Sequence, residues 1–372
     1  MKKLYIPIML LMLFALLIGA CQPQVVEKIV EVEKEVEVEV EKIVEVEKEV
    51  VVEKEVIVEV EAEMEEMGPV VVFGAFATAI EEPWDGVIHE ALTKASDDGR
   101  IEYSYTDDIG YSGDMERVLR EVCDEQAPNL IMGDAFGNEE AVRRVAADYP
   151  EIAFAFGSGF GPTEPNVAVF DNWIHEPAYL LGLLAGGLTE TNTVGVVGGV
   201  PVPEVNRITQ AFIDGCKAQN PDCVVLVTFI NSWFDPAAAK EAALAQIDSG
   251  ADVLFAERFG VIEAAAENGL WSFGNMSDQN ALAPESVVSS AVWNMDPTVD
   301  YLIDQVGKGA FTAQDLKDFS MVGKGGASLA PYHGLEDQLP ADLLATVAAA
   351  YEQIQGGMMR VDIDEAVPEA VN

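Results

Sequence analysis

Basic residues are scarce in this chain of 372 residues, which has 21 lysines and arginines against 65 aspartates and glutamates. The formal net charge of −44 at pH 7 argues against a nucleic-acid partner, because phosphate binding needs basic patches. Acidity of this size favours solubility and repels anionic lipid, but it does not specify a fold. An anionic solute would need a locally positive site, for which few basic residues are available.

Recognisable catalytic and metal-binding motifs are also missing. The three histidines, His89, His175 and His333, are scattered, and no G-x-S-x-G motif, P-loop or G-x-G-x-x-G turn occurs. The cysteines and histidines lack the spacing of a zinc site. We therefore expect no enzyme activity, no metal and no cofactor.

Long apolar runs are limited to the N-terminus, where two lysines precede an apolar stretch over residues 4–18. This stretch is shorter than the roughly 20 residues that a membrane-spanning helix needs, and it predicts a secretory signal peptide at 1–20. Residues 18–21, IGAC, resemble the lipobox of bacterial lipoproteins. The resemblance implies lipidation of Cys21 and a lipid-anchored, extracytoplasmic location at the cell membrane. The alternative is an ordinary signal peptide with an incidental cysteine.

Residues 21–67 are predicted to form a stalk, within which residues 26–66 are almost wholly valine, isoleucine, glutamate and lysine. The decapeptide EKIVEVEKEV occurs at 27–36 and again at 41–50, an offset of two heptads. β-Branched residues at heptad positions would suit a coiled coil that self-associates, whereas the strict Val-Glu alternation at 35–40 is typical of a strand. A charged spacer that holds the rest of the chain away from the membrane is the third interpretation.

The three other cysteines fall in the remainder of the chain. Cys216 and Cys223 bracket a short segment at a predicted helix-to-strand corner. Outside the cytoplasm such a pair either forms a disulfide or stays reduced, and the spacing alone does not decide between the two. Cys123 lies in an amphipathic helical pattern and is expected to be a buried apolar residue.

Residues 68–372 read as alternating strands and helices, which predicts parallel sheets covered by helices on both faces. The pattern runs from 70 to 170, is interrupted by a long apolar helix at about 176–188, and then restarts. About 300 residues are too many for one core, so we expect an α/β fold with two doubly wound lobes and a hinged cleft. The first lobe is predicted at about 69–172 plus 282–320, and the second at about 173–281 plus the C-terminal segment.

Ligands of such sheets bind beyond the carboxyl ends of the strands, so the predicted site is the cleft between the lobes. A flat heterocycle there would need aromatic faces and a few hydrogen-bonding groups at its edge. Aromatic and acidic residues near the predicted strand ends are the candidates, although ordinary packing and solvated carboxylates are the alternatives. The candidates are Trp84, Phe136, Trp173, Trp233, Phe234, Asp235, Glu257, Asp278 and Trp293, with Glu81 and Asp134 as further acceptors.

Several segments, in this order and spacing, resemble the basic membrane protein family of solute-binding lipoproteins. They are VGVVGGVPVPEV (194–205), NSWFDP (231–236), DSGADV (248–253), GNMSDQ (274–279), VSSAVWN (288–294) and IQGG (354–357). The resemblance covers essentially all of 69–362. It implies a periplasmic-binding-protein type I fold, a purine nucleoside or related heterocycle as ligand, and an ABC permease as partner.

Three departures from the nucleoside-binding branch of that family bear on the ligand. Met276 stands where an aspartate is expected to hold ribose hydroxyls, and Trp293 stands where that branch has a lysine. The first loop of that branch is replaced by TAIEEPWDG at 78–86. The WFDP and VWN segments are similar to a sub-branch associated with free purine bases such as adenine, and loss of both polar groups is consistent with a ligand that lacks ribose.

The resulting hypothesis is an extracytoplasmic ABC-importer component whose lobes close on a purine base. A ligand-sensing protein that reports to a membrane receptor without transport would use the same cleft. A stalk-anchored enzyme that acts on nucleosides is the third possibility, and turnover of nucleosides would distinguish it.

Overall fold

The computed structural model describes residues 68–368. The predicted signal peptide, the lipidated Cys21 and the stalk at 21–67 lie outside the described residues. Within 68–368, no helix combines the length and the apolar character needed to cross a membrane.

The first sheet consists of five parallel strands. They are β1 (Val70–Ala75), β2 (Ile101–Thr106), β3 (Leu130–Asp134), β4 (Ala153–Gly157) and β5 (Val167–Phe170). Their order across the sheet is β2-β1-β3-β4-β5, so the central β3 and β4 are buried along their whole length. Strands covered on both faces need apolar side chains at successive positions, which is why these segments read as continuous apolar runs.

Three helices cover the first sheet: α1 (Pro83–Asp97), α2 (Asp114–Glu125) and α3 (Glu139–Asp148). The start of α1 is determined by two neighbouring residues. Pro83 occupies the first turn, where its missing N–H costs nothing, and the Glu82 carboxylate accepts hydrogen bonds from the N–H groups of Trp84 and Asp85. The same cap fixes Trp84 and Asp85 at the carboxyl edge of the sheet.

The second sheet has six strands, of which only the last is antiparallel to its neighbour. They are β6 (Thr193–Gly198), β7 (Val224–Phe229), β8 (Val253–Ala256), β9 (Trp271–Met276), β10 (Val287–Trp293) and β11 (Ala327–Leu329). Their order is β11-β10-β9-β8-β6-β7. The predicted α/β class with two doubly wound lobes is therefore confirmed.

Six further helices complete the described chain. They are α4 (His175–Leu188), α5 (Pro203–Gln219), α6 (Pro236–Asp248), α7 (Val261–Glu267), α8 (Asp296–Gly307) and α9 (Ala341–Gln355). The close packing of α4 on α5 depends on glycine, because a Cβ at Gly182 would lie 2.2 Å from the carbonyl oxygen of Phe212. Near-contact of the two backbones explains why α4 is apolar around its whole circumference.

The chain crosses between the lobes three times. It passes from β5 to α4 through residues 171–174, from β10 to α8 through 294–295, and back to β11 through 321–326. Residues 282–293 were predicted in the first lobe, and this boundary is wrong because β10 pairs in parallel with β9 of the second sheet. The chain returns to the first lobe only afterwards, where Leu316 donates its N–H to the carbonyl of Val169.

A disulfide joins Cys216 at the end of α5 to Cys223 just before β7, with a Cα–Cα distance of 6.1 Å. Both half-cystines are buried, and the pair closes the corner that leads into the edge strand β7. Cys123 is the remaining cysteine of the described residues, and it is buried against α2's core neighbours.

Replacing both half-cystines, Cys216→Ala/Cys223→Ala, should lower stability while leaving the fold intact. Closing so short a loop is worth about 2.5 kcal/mol on the chain-entropy model, which corresponds to a melting temperature roughly 4–8 °C lower. Thermal melts with and without reductant measure this. Reductant should lower the melting temperature of the parent protein and not that of the variant, and a parent protein insensitive to reductant would contradict the prediction.

Candidate functional site

A cavity lies between the lobes at the carboxyl ends of both sets of parallel strands, and in this closed arrangement its volume is about 30 Å³. That is room for roughly one or two water molecules, whereas small-molecule sites span roughly 300–1,000 Å³, so a solute needs the lobes or the lining side chains to move apart. Residues that follow strands of the first sheet line one side: Thr78, Glu82, Trp84, Asp85, Tyr111, Asp134, Phe136 and Ser158. Glu204, Trp233 and Arg258 follow strands of the second sheet and line the other.

Aromatic rings form much of the cavity wall. Phe136 of the first lobe meets Trp233 of the second edge to face, with ring centroids 5.2 Å apart, and Tyr111 packs against Phe136 in the same manner. On the hinge side Trp84 stacks on Phe170. The indole Nε1 of Trp84 is buried and has no hydrogen-bond partner, although buried indole N–H groups usually find one.

A buried ion pair connects the two lobes beside these rings. The Arg258 guanidinium donates to Glu82 Oε1 across the cleft at 3.0 Å and to both carboxylate oxygens of Glu257 at 2.6 and 2.8 Å. It also donates to the carbonyl of Trp233 and lies 5.2 Å from the centre of that ring. Burial acts to lower the pKa of Arg258, but the Glu257 and Glu82 carboxylates outweigh burial and raise it, so Arg258 stays charged.

Two further buried carboxyl groups, Asp85 and Asp134, and the half-buried Glu204 face the cavity without a basic side chain within ion-pair distance among the described residues. Burial raises the pKa of Asp85 to about 7, that of Glu204 to about 8, and that of Asp134 well above its ordinary value. Asp85 Oδ2 accepts hydrogen bonds from the N–H and hydroxyl of Thr78, whereas Asp85 Oδ1 is buried and unpartnered.

A second ion pair lies at the hinge, below the cavity. Arg207, which is 1% exposed, donates to Asp171 at 2.8 Å and to Glu365 of the C-terminal segment at 3.2 Å. Asn172 connects this pair to the cavity, since its amide donates to Glu204 at 2.6 Å. Arg207 is therefore engaged by two carboxylates at the hinge, and it lowers the pKa of Glu204 without pairing directly with it.

The family described as "ABC transporter substrate-binding protein PnrA-like" matches residues 70–319, more than half of the 372 residues. The chain belongs to this family. The resemblance to the basic membrane proteins is thereby confirmed, and the family is a class of solute-binding proteins rather than of enzymes.

Proteins with similar sequences carry names that indicate different functions. A Haloferax volcanii protein named as a candidate ABC transporter glucose-binding protein is 33% identical over 215 residues, or 57% of this chain and 54% of the relative. The chain thus spans about half the length of that relative. A purine-binding protein of Brucella abortus is 28% identical over 245 residues, or 64% of this chain and 68% of the relative. A transcriptional activator of Bacillus subtilis is 27% identical over 225 residues, or 58% of this chain and 69% of the relative.

Solved structures agree on the fold. A solute-binding protein from Aeropyrum pernix superposes with a TM-score of 0.69 at 18% identity, covering 80% of this chain and 94% of its own. A solute-binding protein from Conexibacter woesei gives a TM-score of 0.65 at 24% identity, and the superposition covers 79% of this chain and 99% of the other. The predicted periplasmic-binding-protein type I fold is confirmed.

Among the nine residues proposed from the sequence as ligand contacts, Trp84, Phe136 and Trp233 line the cavity of this family member. Asp134, proposed as a further acceptor, lines it as well. Glu257 is buried and acts on the cavity through Arg258, which it holds by two hydrogen bonds. These side chains come from both lobes, so only closure brings them together.

The other proposed contacts do not line the cavity, and three of them have hydrogen-bond partners elsewhere. Trp293 is 2% exposed and donates its indole N–H to Ser320, and Asp235 caps α6 by accepting from the N–H of Ala238. Asp278 pairs with His333 at 2.7 Å. The remaining three are Trp173 at the hinge, Phe234, which is 59% exposed, and Glu81, which is exposed.

Sequence reasoning missed Glu82, Asp85, Glu204 and Arg258. Arg258 carried a usable signal, because it stands directly beyond a buried strand in a chain with few basic residues. Glu82 and Asp85 looked like ordinary helix-start residues, which carry acidic side chains for capping alone. Only the packing of the lobes shows that these groups face a common cavity.

Removing the charge of Arg258 should open the cleft. In Arg258→Met the Glu82 and Glu257 carboxylates stay buried without a cation, which costs about 3–5 kcal/mol and favours separated lobes. Small-angle scattering should show a larger radius of gyration, and the Glu82→Gln/Arg258→Met double variant should recover part of the compact form. Arg117→Gln, which breaks an exposed ion pair with Glu121 on α2, is the control and should leave the radius of gyration unchanged. An unchanged radius in Arg258→Met would show that the ion pair does not hold the lobes.

Asp85→Asn should alter the pH dependence of stability. Because the pKa of Asp85 is raised to about 7, the folded protein keeps a proton that the unfolded chain loses above pH ~4. Its stabilising contribution therefore falls as the pH rises from about 4 to about 7. The variant should gain roughly 1–2 kcal/mol over the parent at pH 8 and little at pH 5, as measured by thermal melts. Asp278→Asn is the control, and parallel pH profiles of parent and Asp85→Asn would refute the assignment.

Proposed function

We propose that this protein is the extracytoplasmic, lipid-anchored solute-binding component of an ABC importer, and that its lobes close on a purine base of the adenine type. The closed form would then dock on the permease. Family membership and the two-lobed fold support solute capture. The purine-binding relative from Brucella supports the ligand class.

The observation that carries the ligand class is a pair of unpartnered groups in the first turn of α1. Trp84 Nε1 is a donor and Asp85 Oδ1 is an acceptor, and both residues line the cavity. Adenine offers the complementary pair on its edge, an amino group beside a ring nitrogen. A buried polar group without a hydrogen-bond partner costs free energy. A solute that bonds to both Trp84 Nε1 and Asp85 Oδ1 removes this cost, and its binding free energy should be more favourable as a result.

Two residues support a ligand without ribose. Met276 is 3% exposed and its sulfur lies 3.1 Å from the amide nitrogen of Asn172, inside the hinge rather than at the cavity. The indole N–H of Trp293 donates a hydrogen bond to the Ser320 hydroxyl. Neither position offers a polar group for sugar hydroxyls in the closed form.

Titration calorimetry of the purified chain with adenine, adenosine and glucose tests the proposal. Adenine should bind, adenosine should bind more weakly, and Trp84→Phe should weaken adenine roughly 10-fold because it keeps an aromatic ring but loses the indole N–H together with the five-membered ring that carries it. Trp173→Phe is a matched control, since Trp173 Nε1 is also buried and unpartnered but lies outside the cavity lining. Binding of glucose alone, as the name of the Haloferax relative suggests for that protein, would overturn the purine assignment and leave solute capture standing.

A sensing role is the second candidate, and the relative named as a transcriptional activator favours it. The cleft would serve either role. Uptake of labelled solute by cells that carry the gene, compared with cells that lack it, distinguishes them, because a sensor alone would not change uptake.

A further inference from the structure

We infer that the solute captured in the cleft carries a positively charged group, such as an amidinium, a protonated amine or a quaternised ring nitrogen, held among Asp85, Asp134 and Glu204. This inference rests on the proposed capture of a solute between the lobes. It specifies the charge of that solute, which neither the family nor its named relatives decide.

Acidic groups outnumber basic groups around the cavity, so the charges do not balance once the carboxyl groups ionise. Glu82, Asp85, Asp134 and Glu204 line it, Glu257 lies just behind, and Arg258 is the one basic residue of its lining. The guanidinium of Arg258 is already engaged by Glu257, Glu82 and the Trp233 carbonyl. Asp85, Asp134 and Glu204 therefore have no basic side chain within ion-pair distance in the described part of the chain, although Arg207 and Arg258 lie near enough to Glu204 to lower its pKa.

Each of the three remaining carboxyl groups is only partly satisfied by the protein. Asp134 accepts from the N–H of Phe136 at 2.9 Å and Glu204 from the Asn172 amide at 2.6 Å. Asp85 uses one oxygen for Thr78 and leaves the other buried without a partner. Since Asp85 is 1% exposed in the closed arrangement, a solute group must reach its free oxygen while the lobes are apart and is then enclosed with it.

Arg258 shows how this cavity accommodates a cation. Its guanidinium lies against the face of Trp233 and between two carboxylates, which is the combination that binds cationic ligands in aromatic cages. The other side of the cavity also combines aromatic rings with carboxyl groups, since Tyr111 and Phe136 line it together with Asp134 and Asp85. This side of the cavity therefore has the aromatic rings and carboxyl groups that surround Arg258 on the opposite side, but no basic side chain of its own among the lining residues.

A metal ion fits this arrangement less well than an organic cation. Among residues 68–368, no group of three or more aspartates, glutamates, histidines or cysteines is placed to hold a metal ion. Carboxyl groups distributed around an aromatic cavity suit a larger group whose N–H donors diverge.

Protons compete with such a cation. Burial raises the pKa of Asp85 to about 7 and that of Glu204 to about 8, so both hold protons near neutral pH before a solute binds, and burial also raises the pKa of Asp134. A cation displaces these protons, so its affinity should increase as the pH rises through about 7 to 8. The charged groups that face the three carboxyls are Glu82, Asp107, Asp171, Arg207, Glu257 and Arg258.

Isosteric pairs of probes test the inference on the purified chain. Benzamidine is compared with neutral benzamide, and 1-methyladenine in its protonated form with adenine, by calorimetry at pH 6 and pH 8.5. The cationic member of a pair should bind ~10- to 100-fold more tightly than its neutral partner, the range expected for hydrogen bonds to charged groups. For benzamidine, which keeps its charge at both values, the preference should be greater at pH 8.5.

Asp134→Asn and Glu204→Gln should abolish the preference for the cation. Both variants should fold, because each removes a buried carboxyl group without a cationic partner, and thermal melts verify this. Asp278→Asn is the control outside the cavity and should keep the preference.

The outcomes separate this inference from the proposed function. Adenine binding as tightly as its cationic counterpart would overturn the charge inference and leave purine capture intact. Binding of 1,4-diaminobutane but no purine would support the charge and overturn the purine class. No binding of any probe would overturn both, and a thermal shift with Mg²⁺ or Ca²⁺ alone would replace the organic cation by a metal.

Discussion

The closed arrangement of this protein depends on one buried cation, Arg258, which holds both lobes at once. It bonds Glu82 of the first lobe and Glu257 of its own, and it covers the ring of Trp233. Glu82 also caps α1, so the group that spans the cleft is the one that fixes Trp84 and Asp85 at the cavity. Desolvating these charges is costly, and only the complete set of partners in the closed form offsets that cost.

The remaining charges follow from this constraint. At the hinge Arg207 is engaged by Asp171 and Glu365, and at the lobe contact Arg258 is engaged by Glu82 and Glu257, so each of these two arginines already has two carboxylate partners. Asp85, Asp134 and Glu204 are left facing aromatic walls. A chain with 21 basic and 65 acidic residues has few cations to place, and it places these two where they stabilise the interlobe geometry rather than the solute.

Much of the fold was predictable from local patterns. Apolar runs such as 130–132 and 253–256 identify buried parallel strands, and the helices between them begin and end close to the expected residues. The lobe boundary at 282 was wrong because a buried strand such as β10 reads the same in either sheet, and pairing with β9 is a long-range contact. Trp293 and Trp84 are likewise the same residue type and both lie near the end of a predicted strand. The indole N–H of Trp293 is nevertheless bonded to Ser320 at the hinge, whereas that of Trp84 is unpartnered at the cavity.

The sequence by itself determined the family, the alternation of strands and helices, the acidic character and the edge of the sheets where a site forms. These depend on side-chain periodicity, motif order and composition, which are local properties. Tertiary structure decided which residues meet in the cleft, that Glu82 and Arg258 bridge it, and that three carboxyl groups are left without a cation. Those features depend on distances between residues about 50 to 180 positions apart in the chain, as in the Arg258–Glu82 bond, and on burial, neither of which a local pattern encodes.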